Sequence, residues 1–334
     1  MRVSVNGLGN IGTTLALVLI KYKQHLGISE VFGYKNNQVD WQKTDLLFLK
    51  TAGVTIVSSK QTTLAEHLKT VDFVFDTTSN GFGLGNKTVY ESLSHLKGAI
   101  AQGSENGFGV QFMSGMPIDL SEEQYVQIVS CNTHAAASIL NLFGGSHRLN
   151  NIKEADFVVV RRSEDLGNHQ RLVTANVVAR HLSDETGTHH ALDVKSMYAQ
   201  LNIHCPITSS DITTPSQLLH ATRFHIQTNL PIDWDQINKM ADTNPLIATT
   251  SKFDSNTIFE LGRRYGDFGR IYNHIILVDN NILKTKFSAK GWAFVPQEGN
   301  TIISTITAFL KMTQPNKASE MIKLIQNNLC HNAW

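Results

Sequence analysis

Apolar positions along the first 130 residues alternate between a strand period and a helix period. Arg2 to Asn6 reads as a short strand, after which Ile11, Leu15, Val18 and Leu19 fall at offsets of zero, four, seven and eight, one face of a helix. Short apolar runs bounded by turn residues predict further strands at Glu30 to Phe32, Val71 to Phe75, Ala99 to Ala101 and Tyr125 to Val129, and a helix follows over Ala135 to Phe143. Strands that alternate with helices imply an α/β fold, a Rossmann-type doubly wound parallel sheet with helices on both faces.

From about Asn150 the strands lengthen. Runs at Ala155 to Arg162, at Thr222 to Thr228, and at His274 to Val278, the last turning through Asp279-Asn280-Asn281 into Ile282 to Phe287, predict a mainly antiparallel sheet. Within Thr222 to Thr228, Thr222, Phe224 and Ile226 alternate with Arg223, His225 and Gln227, the period of a sheet covered on one face. Helices on one side of that sheet make the second domain α+β. Near the end Ile302, Ile303, Ile306 and Leu310 form another helical stripe, and Met321, Ile322, Leu324 and Ile325 predict a last helix after Pro315.

Composition narrows the class of protein. With 41% hydrophobic and 17% charged residues, the 334-residue chain is an ordinary globular sequence long enough for one or two domains. The balance of 29 Lys+Arg against 28 Asp+Glu supplies no basic field for a nucleic acid or an anionic membrane. No apolar run approaches a bilayer span, and the opening Met1-Arg2-Val3-Ser4-Val5 reads as a strand rather than a signal peptide. Three scattered cysteines, Cys131, Cys205 and Cys330, form neither a disulfide framework nor a metal pair, so a reducing cytoplasm is expected.

Gly7-Leu8-Gly9-Asn10-Ile11-Gly12 follows a strand and opens a helix. In that context the first glycine makes the tight turn, the second lets backbone amides approach a pyrophosphate, and the third lets helix and strand pack closely. About twenty residues on, where an NAD-specific site carries an acid, this chain has Gly33-Tyr34-Lys35-Asn36-Asn37. No carboxylate repels a 2′-phosphate there and Lys35 can pair with one, so NADP should be accepted, alongside or instead of NAD.

Ser130-Cys131-Asn132-Thr133 lies where one strand ends and a helix begins. A thiol at a helix N-terminus faces partial positive charge, which favours the thiolate. Beside a nicotinamide such a sulfur suggests attack on an aldehyde, hydride transfer and release of a thioester. Which of the 14 histidines serves as base, composition does not decide.

These residues resemble the archaeal-type (type II) glyceraldehyde-3-phosphate dehydrogenases, from about Val3 to Ile325. Val5-Asn6-Gly7-x-Gly9-x-Ile11-Gly12 resembles the family's cofactor turn, Gly33-Tyr34-Lys35 its Gly-Val-x-Lys stretch, Asp76-Thr77-Thr78 and Gln102-Gly103 its later cofactor-wall segments, and Ser130-Cys131-Asn132-Thr133 its nucleophile motif. Arg161-Arg162, His189-His190 and Pro215-x-x-Leu218-Leu219-His220 follow in the family's order.

The resemblance implies a phosphorylating dehydrogenase that oxidises glyceraldehyde 3-phosphate to 1,3-bisphosphoglycerate, with Cys131 as nucleophile and His220 as the group that withdraws protons. Asn132, Thr133, Arg161, Arg162, His189 and His190 would serve the substrate and inorganic phosphate; Gly7, Gly9, Asn10, Ile11, Tyr34, Lys35, Thr77, Thr78, Gln102 and Gly103 would line the cofactor site. It implies a homotetramer in which the stretch after about residue 301 returns to the first domain; residues 1–131 are expected to bind the dinucleotide and 132–300 to form the catalytic domain, with no metal site expected.

The sequence departs from the family at His134, where a second threonine is expected, at Ala135-Ala136, at Ser216-Gln217 and at Leu166. These changes leave open a related enzyme that acts on a different, phosphorylated aldehyde by the same covalent steps. A non-catalytic member that uses the dinucleotide pocket for sensing, or binds RNA on the nucleotide domain, is the rival of another class.

Overall fold

The computed structural model describes residues 1–334 except 36–42, 104, 146–148, 163–175, 178–181 and 216. Asn36, Asn37, Leu166 and Ser216 therefore lie outside the described residues. The chain divides into two compact units, Met1–Val129 with Ile302–Ile325, and Ser130–Thr301 with Gln326–Trp334.

The first unit holds β1 (Arg2–Asn6), α1 (Asn10–Lys21), β2 (Glu30–Lys35), α2 (Lys43–Ala52), β3 (Thr55–Ser58), α3 (Leu64–Leu68), β4 (Phe73–Asp76), α4 (Phe82–Glu91), β5 (Gly98–Gln102), β6 (Val110–Phe112) and β7 (Tyr125–Ile128). Its seven strands run in the order β3-β2-β1-β4-β5-β7-β6, and every pairing is parallel. The unit is thus a Rossmann-like sheet, as the alternating periods predict. The central strands are apolar throughout because they are buried on both faces: Val3, Val5, Phe73, Val74 and Phe75 are sealed from solvent. β3 and β6 have no counterpart in the sequence reading; each is only three or four residues long, too short for a period to register.

The second unit opens with α5 (Cys131–Gly144), β8 (Ile152–Arg162), β9 (Asn176–Val177), α6 (His189–Ala199), β10 (Ile207–Thr214) and β11 (His220–Thr228). It continues through α7 (Trp234–Thr243), β12 (Ile247–Thr250), α8 (Ser255–Tyr265), β13 (Ile275–Val278), β14 (Leu283–Lys284) and β15 (Ser288–Val295). The sheet order is β12-β13-β15-β11-β8-β10-β9, with β14 on β15. It is mixed and mostly antiparallel; β8 with β10 and β12 with β13 are its parallel pairs. Helix α5 packs against β8, β11 and α6.

Two strands here correct the sequence reading. Ile282 to Phe287 is not the long return strand: only Leu283–Lys284 is extended, and β15 takes the place beside β11. β15 gives only a weak strand alternation because its inward positions before Val295 are the small Ala289, Gly291 and Ala293; Gly291 faces Phe224, whose ring would lie 2.7 Å from a Cβ at that position. β10 escaped notice because its inward positions are Ile207, Ser209 and Asp211, buried but largely polar.

α9 (Ile302–Thr313) belongs to the first unit, where it packs on β5 and β7. α10 spans Pro315–Leu329. Residues 326–334 group with the second unit rather than the first, because the Trp334 indole donates to Asn273 Oδ1 at 3.0 Å and the Trp334 amide to the Thr249 carbonyl at 3.1 Å. Among the described residues no helix is long and apolar enough to cross a membrane.

Candidate active site

The glycine turn is shaped by the close approach of β1 and β4. Gly7 has φ +93°, and a Cβ there would lie 2.9 Å from the Thr77 carbonyl group and the Thr78 nitrogen. A Cβ at Gly12 would collide with the Gly7 carbonyl oxygen and Thr77 Oγ1. Gly9 differs: its Cβ would meet no described atom within 4 Å. The first and third glycines therefore satisfy the fold, while the second leaves room in front of the α1 N-terminus, where helix amides favour an anion. Asn10 and Ile11 form the first turn of α1.

Behind that turn Asp76, at the end of β4, is almost fully buried. Its Oδ1 accepts from the Thr78 amide at 3.0 Å and hydroxyl at 2.5 Å, and its Oδ2 from Tyr90 Oη at 2.5 Å and Asn86 Nδ2 at 2.9 Å. Asn6 Nδ2 donates to Tyr90 Oη at 2.8 Å, so the ends of β1 and β4 share one network. Burial, together with the Asp76 charge, pushes the Tyr90 hydroxyl well above its usual pKa, and Tyr90 stays a donor.

The other cofactor candidates divide. Lys35 is buried, with Nζ donating to the Leu8 carbonyl within the glycine turn at 3.0 Å. Tyr34 stacks on His67 with 5.4 Å between ring centroids, and its hydroxyl donates to the Thr62 carbonyl. Gln102 turns its amide onto Thr305 of α9, whereas Gly103, at φ +83°, has open space where a Cβ would stand.

In the second unit, Ser130 is the N-cap of α5 and its Oγ accepts from the Thr133 amide at 3.3 Å. The helix starts at Cys131, four residues before the predicted start, which puts the thiol in the first turn where the dipole acts most strongly. Cys131 is partly exposed; Cys205 and Cys330 are buried, and burial pushes each of their thiols up to about 12.

His220 begins β11 and is buried, with its backbone amide donating to Gln297 Oε1 at 3.2 Å. Burial first, then the Arg162 and Arg161 guanidiniums, lower its pKa to about 3, so the ring is neutral at pH 7. Each arginine faces a carboxylate. Arg162 pairs with Glu298 at 3.0 Å and donates to the Leu218 carbonyl; Arg161 lies 3.3 Å from the fully buried Asp211. Glu298 also lies 3.2 Å from Arg270. These carboxylates were missed from sequence: Asp211 sits on the unread β10, and no local pattern marks Glu298.

His189 and His190 open α6 with ring centroids 3.9 Å apart. His190 lines a small cavity with Asn132, Ser209, Thr222 and Val159, so the structure brings Asn132 and His190 together. Asn132 Oδ1 and Thr222 Oγ1 are buried with no hydrogen-bond partner among the described residues. Thr133 is buried, its hydroxyl 2.9 Å from Ser130 Oγ. Among the described residues no group of three metal-ligating side chains occurs.

No family model matches the chain. Curated proteins do. A glyceraldehyde-3-phosphate dehydrogenase of Methanoregula boonei is 25% identical over 353 residues, covering 98% of this chain and 97% of the relative. The chain is similar, end to end, to glyceraldehyde-3-phosphate dehydrogenases. Those of Saccharolobus islandicus and Saccharolobus solfataricus are 22% and 24% identical, with 98% and 82% of this chain covered and 97% and 81% of the relatives. The relatives are named as dehydrogenases, a class of oxidoreductase.

Proposed function

We propose that this protein is an NAD(P)-dependent, phosphorylating aldehyde dehydrogenase of the glyceraldehyde-3-phosphate type. The observation that carries the reading is Cys131, a partly exposed thiol in the first turn of a helix whose N-cap is filled by Ser130. The full-length similarity to dehydrogenases of that name supports the substrate class. Open space at Gly9, before the α1 N-terminus, fits a dinucleotide pyrophosphate, and Lys35 beside Leu8 fits acceptance of a 2′-phosphate.

The thiolate of Cys131 adds to the aldehyde carbon as the C=O electron pair moves onto oxygen, and the oxygen takes a proton from water to give a hemithioacetal. His220, neutral at pH 7, takes the hydroxyl proton as the carbonyl re-forms and, its pKa being lowered to about 3, passes it on to water. A bound nicotinamide supplies the hydride acceptor. The resulting Cys131 thioester is cleaved by inorganic phosphate, which regenerates the thiolate and gives an acyl phosphate. Arg161, Arg162, His189 and His190, with Asn132 and Thr133, are the groups proposed to hold the phosphates, and a cytoplasmic homotetramer is the proposed assembly.

The carboxylates opposite both arginines favour a second reading, a different phosphorylated aldehyde handled by the same covalent steps. Rates over an aldehyde panel with NAD or NADP, with phosphate present or withheld, test both. Phosphate-dependent reduction fastest with glyceraldehyde 3-phosphate supports the first reading, and a faster alternative aldehyde supports the second. No reduction with any aldehyde overturns both.

A further inference from the structure

Beneath the α5 N-terminus lies a sealed cluster that the proposed chemistry does not use. His134 and His274 are both fully buried, their rings edge to face with centroids 4.7 Å apart. His274 Nδ1 lies 3.2 Å from Ser138 Oγ, one helical turn beyond His134. The Ser130 carbonyl oxygen accepts the first helix bond from the His134 amide at 3.0 Å, and His134 Nδ1 lies 2.9 Å from the same oxygen. Because a carbonyl only accepts, Nδ1 carries the proton and the ring donates. On the other side of the nucleophile, Asn300 Nδ2 donates to the Cys131 carbonyl at 3.1 Å and to the His274 carbonyl at 3.1 Å.

Two peptide planes flank a residue, and both flanking Cys131 are held here. A trans peptide sets its N–H opposite its C=O, so the Ser130 carbonyl, held once by the His134 amide and again by its ring, aims the Cys131 amide. Anchoring the Cys131 carbonyl fixes the next plane. With both planes held, χ1 is the sulfur's remaining freedom. The two anchors meet at His274, one through its ring and the other through its carbonyl.

We infer that His134 is a positioning residue for the nucleophile: seated on His274, its ring adds a second bond to the carbonyl that the helix already holds, and so stiffens the Ser130–Cys131 peptide and the direction of the Cys131 amide and thiol. The inference rests on Cys131 being the nucleophile of the proposed reaction. It also accounts for an imidazole at the position where the resembling family has threonine: the ring spans from the helix backbone to the neighbouring segment at His274, which a threonine does not reach.

Asn and Leu are nearly isosteric, and of the two only Asn has a donor near the Nδ1 position. His134→Leu is expected to slow iodoacetamide alkylation of Cys131 at pH 7 about tenfold, while His134→Asn stays within about threefold of wild type. In turnover the Leu variant should lose kcat with little change in the aldehyde KM, and both variants should bind the dinucleotide as wild type does. Equal alkylation rates in the two variants overturn the proposal. Alkylation needs no aldehyde, so a failure of the dehydrogenase reading leaves this arm intact. Should neither variant fold, 15N-histidine spectra of the wild-type protein decide: a slowly exchanging Nδ1–H on His134, assigned by its contacts to His274, supports the lock, and an Nε2–H tautomer overturns it.

Discussion

The guanidinium of Arg162 and the carboxylate of Glu298 meet at 3.0 Å, and each side chain is less than a tenth exposed. Arg162 also lowers the pKa of His220, so Glu298 offsets a cation beside the proposed base. Breaking a buried pair from one side leaves an uncompensated charge and typically costs about 3–5 kcal/mol. Glu298→Gln is therefore expected to destabilise the protein by that amount in urea denaturation. The double variant with Arg162→Met should recover part of the loss; a double variant no more stable than the single would show that the pair is not the cause.

Stability should fall on mild acidification. Burial lowers His67 to about 4 and His220 to about 3, and holds His274 well below the usual range. The unfolded chain takes up these protons near pH 6.5 and the folded chain does not, so stability is complete above about pH 6.5 and is lost towards pH 4 and below. Each histidine contributes a slope of up to about 1.4 kcal/mol per pH unit in that window. Guanidinium midpoints should hold between pH 8 and about 6.5 and fall from there to pH 5, and His67→Gln should flatten the fall; a wild-type profile flat down to pH 5 would refute the assignment.

The three thiols should separate sharply. Cys131 is partly exposed at a helix N-terminus, while Cys205 and Cys330 are buried with thiols raised to about 12. Iodoacetate should label native protein once, at Cys131, and substrate should protect it. Cys131→Ser should keep dinucleotide binding and lose about three or more orders of magnitude in turnover. Unchanged turnover in that variant would remove the covalent mechanism.

The glycines of the cofactor turn should respond in opposite ways. Gly12→Ala forces a Cβ onto the Gly7 carbonyl and should cost more than about 2 kcal/mol of stability. Gly9→Ala meets open space, so stability should change by less than about 1 kcal/mol. The same substitution should weaken dinucleotide binding, read by fluorescence titration, because the methyl stands in front of the α1 N-terminus. Unchanged binding would move the pyrophosphate elsewhere.

Much of the first unit could be read from the chain because its signals are local. The run from Gly7 to Gly12 carries its strand, turn and helix start within a few residues, and Ser130-Cys131 marks a strand-to-helix junction by itself. β10 and β15 were hidden for a local reason too: buried Ser209 and Asp211, and Gly291 opposite Phe224, remove the apolar alternation on which strand reading depends.

What the amino-acid order determined on its own was the alternation of strand and helix, the three glycines and the placing of a thiol at a helix start, since periodicity and capping act within a turn or two of chain. Only the tertiary structure decided which charges meet. Arg162 and Glu298 are 136 positions apart, as are Ser138 and His274. No short-range pattern can encode that a phosphate-binding candidate already holds a carboxylate, or that His134 turns inward onto a second imidazole; these follow from the packing of distant segments, where burial drives most polar groups to find a partner.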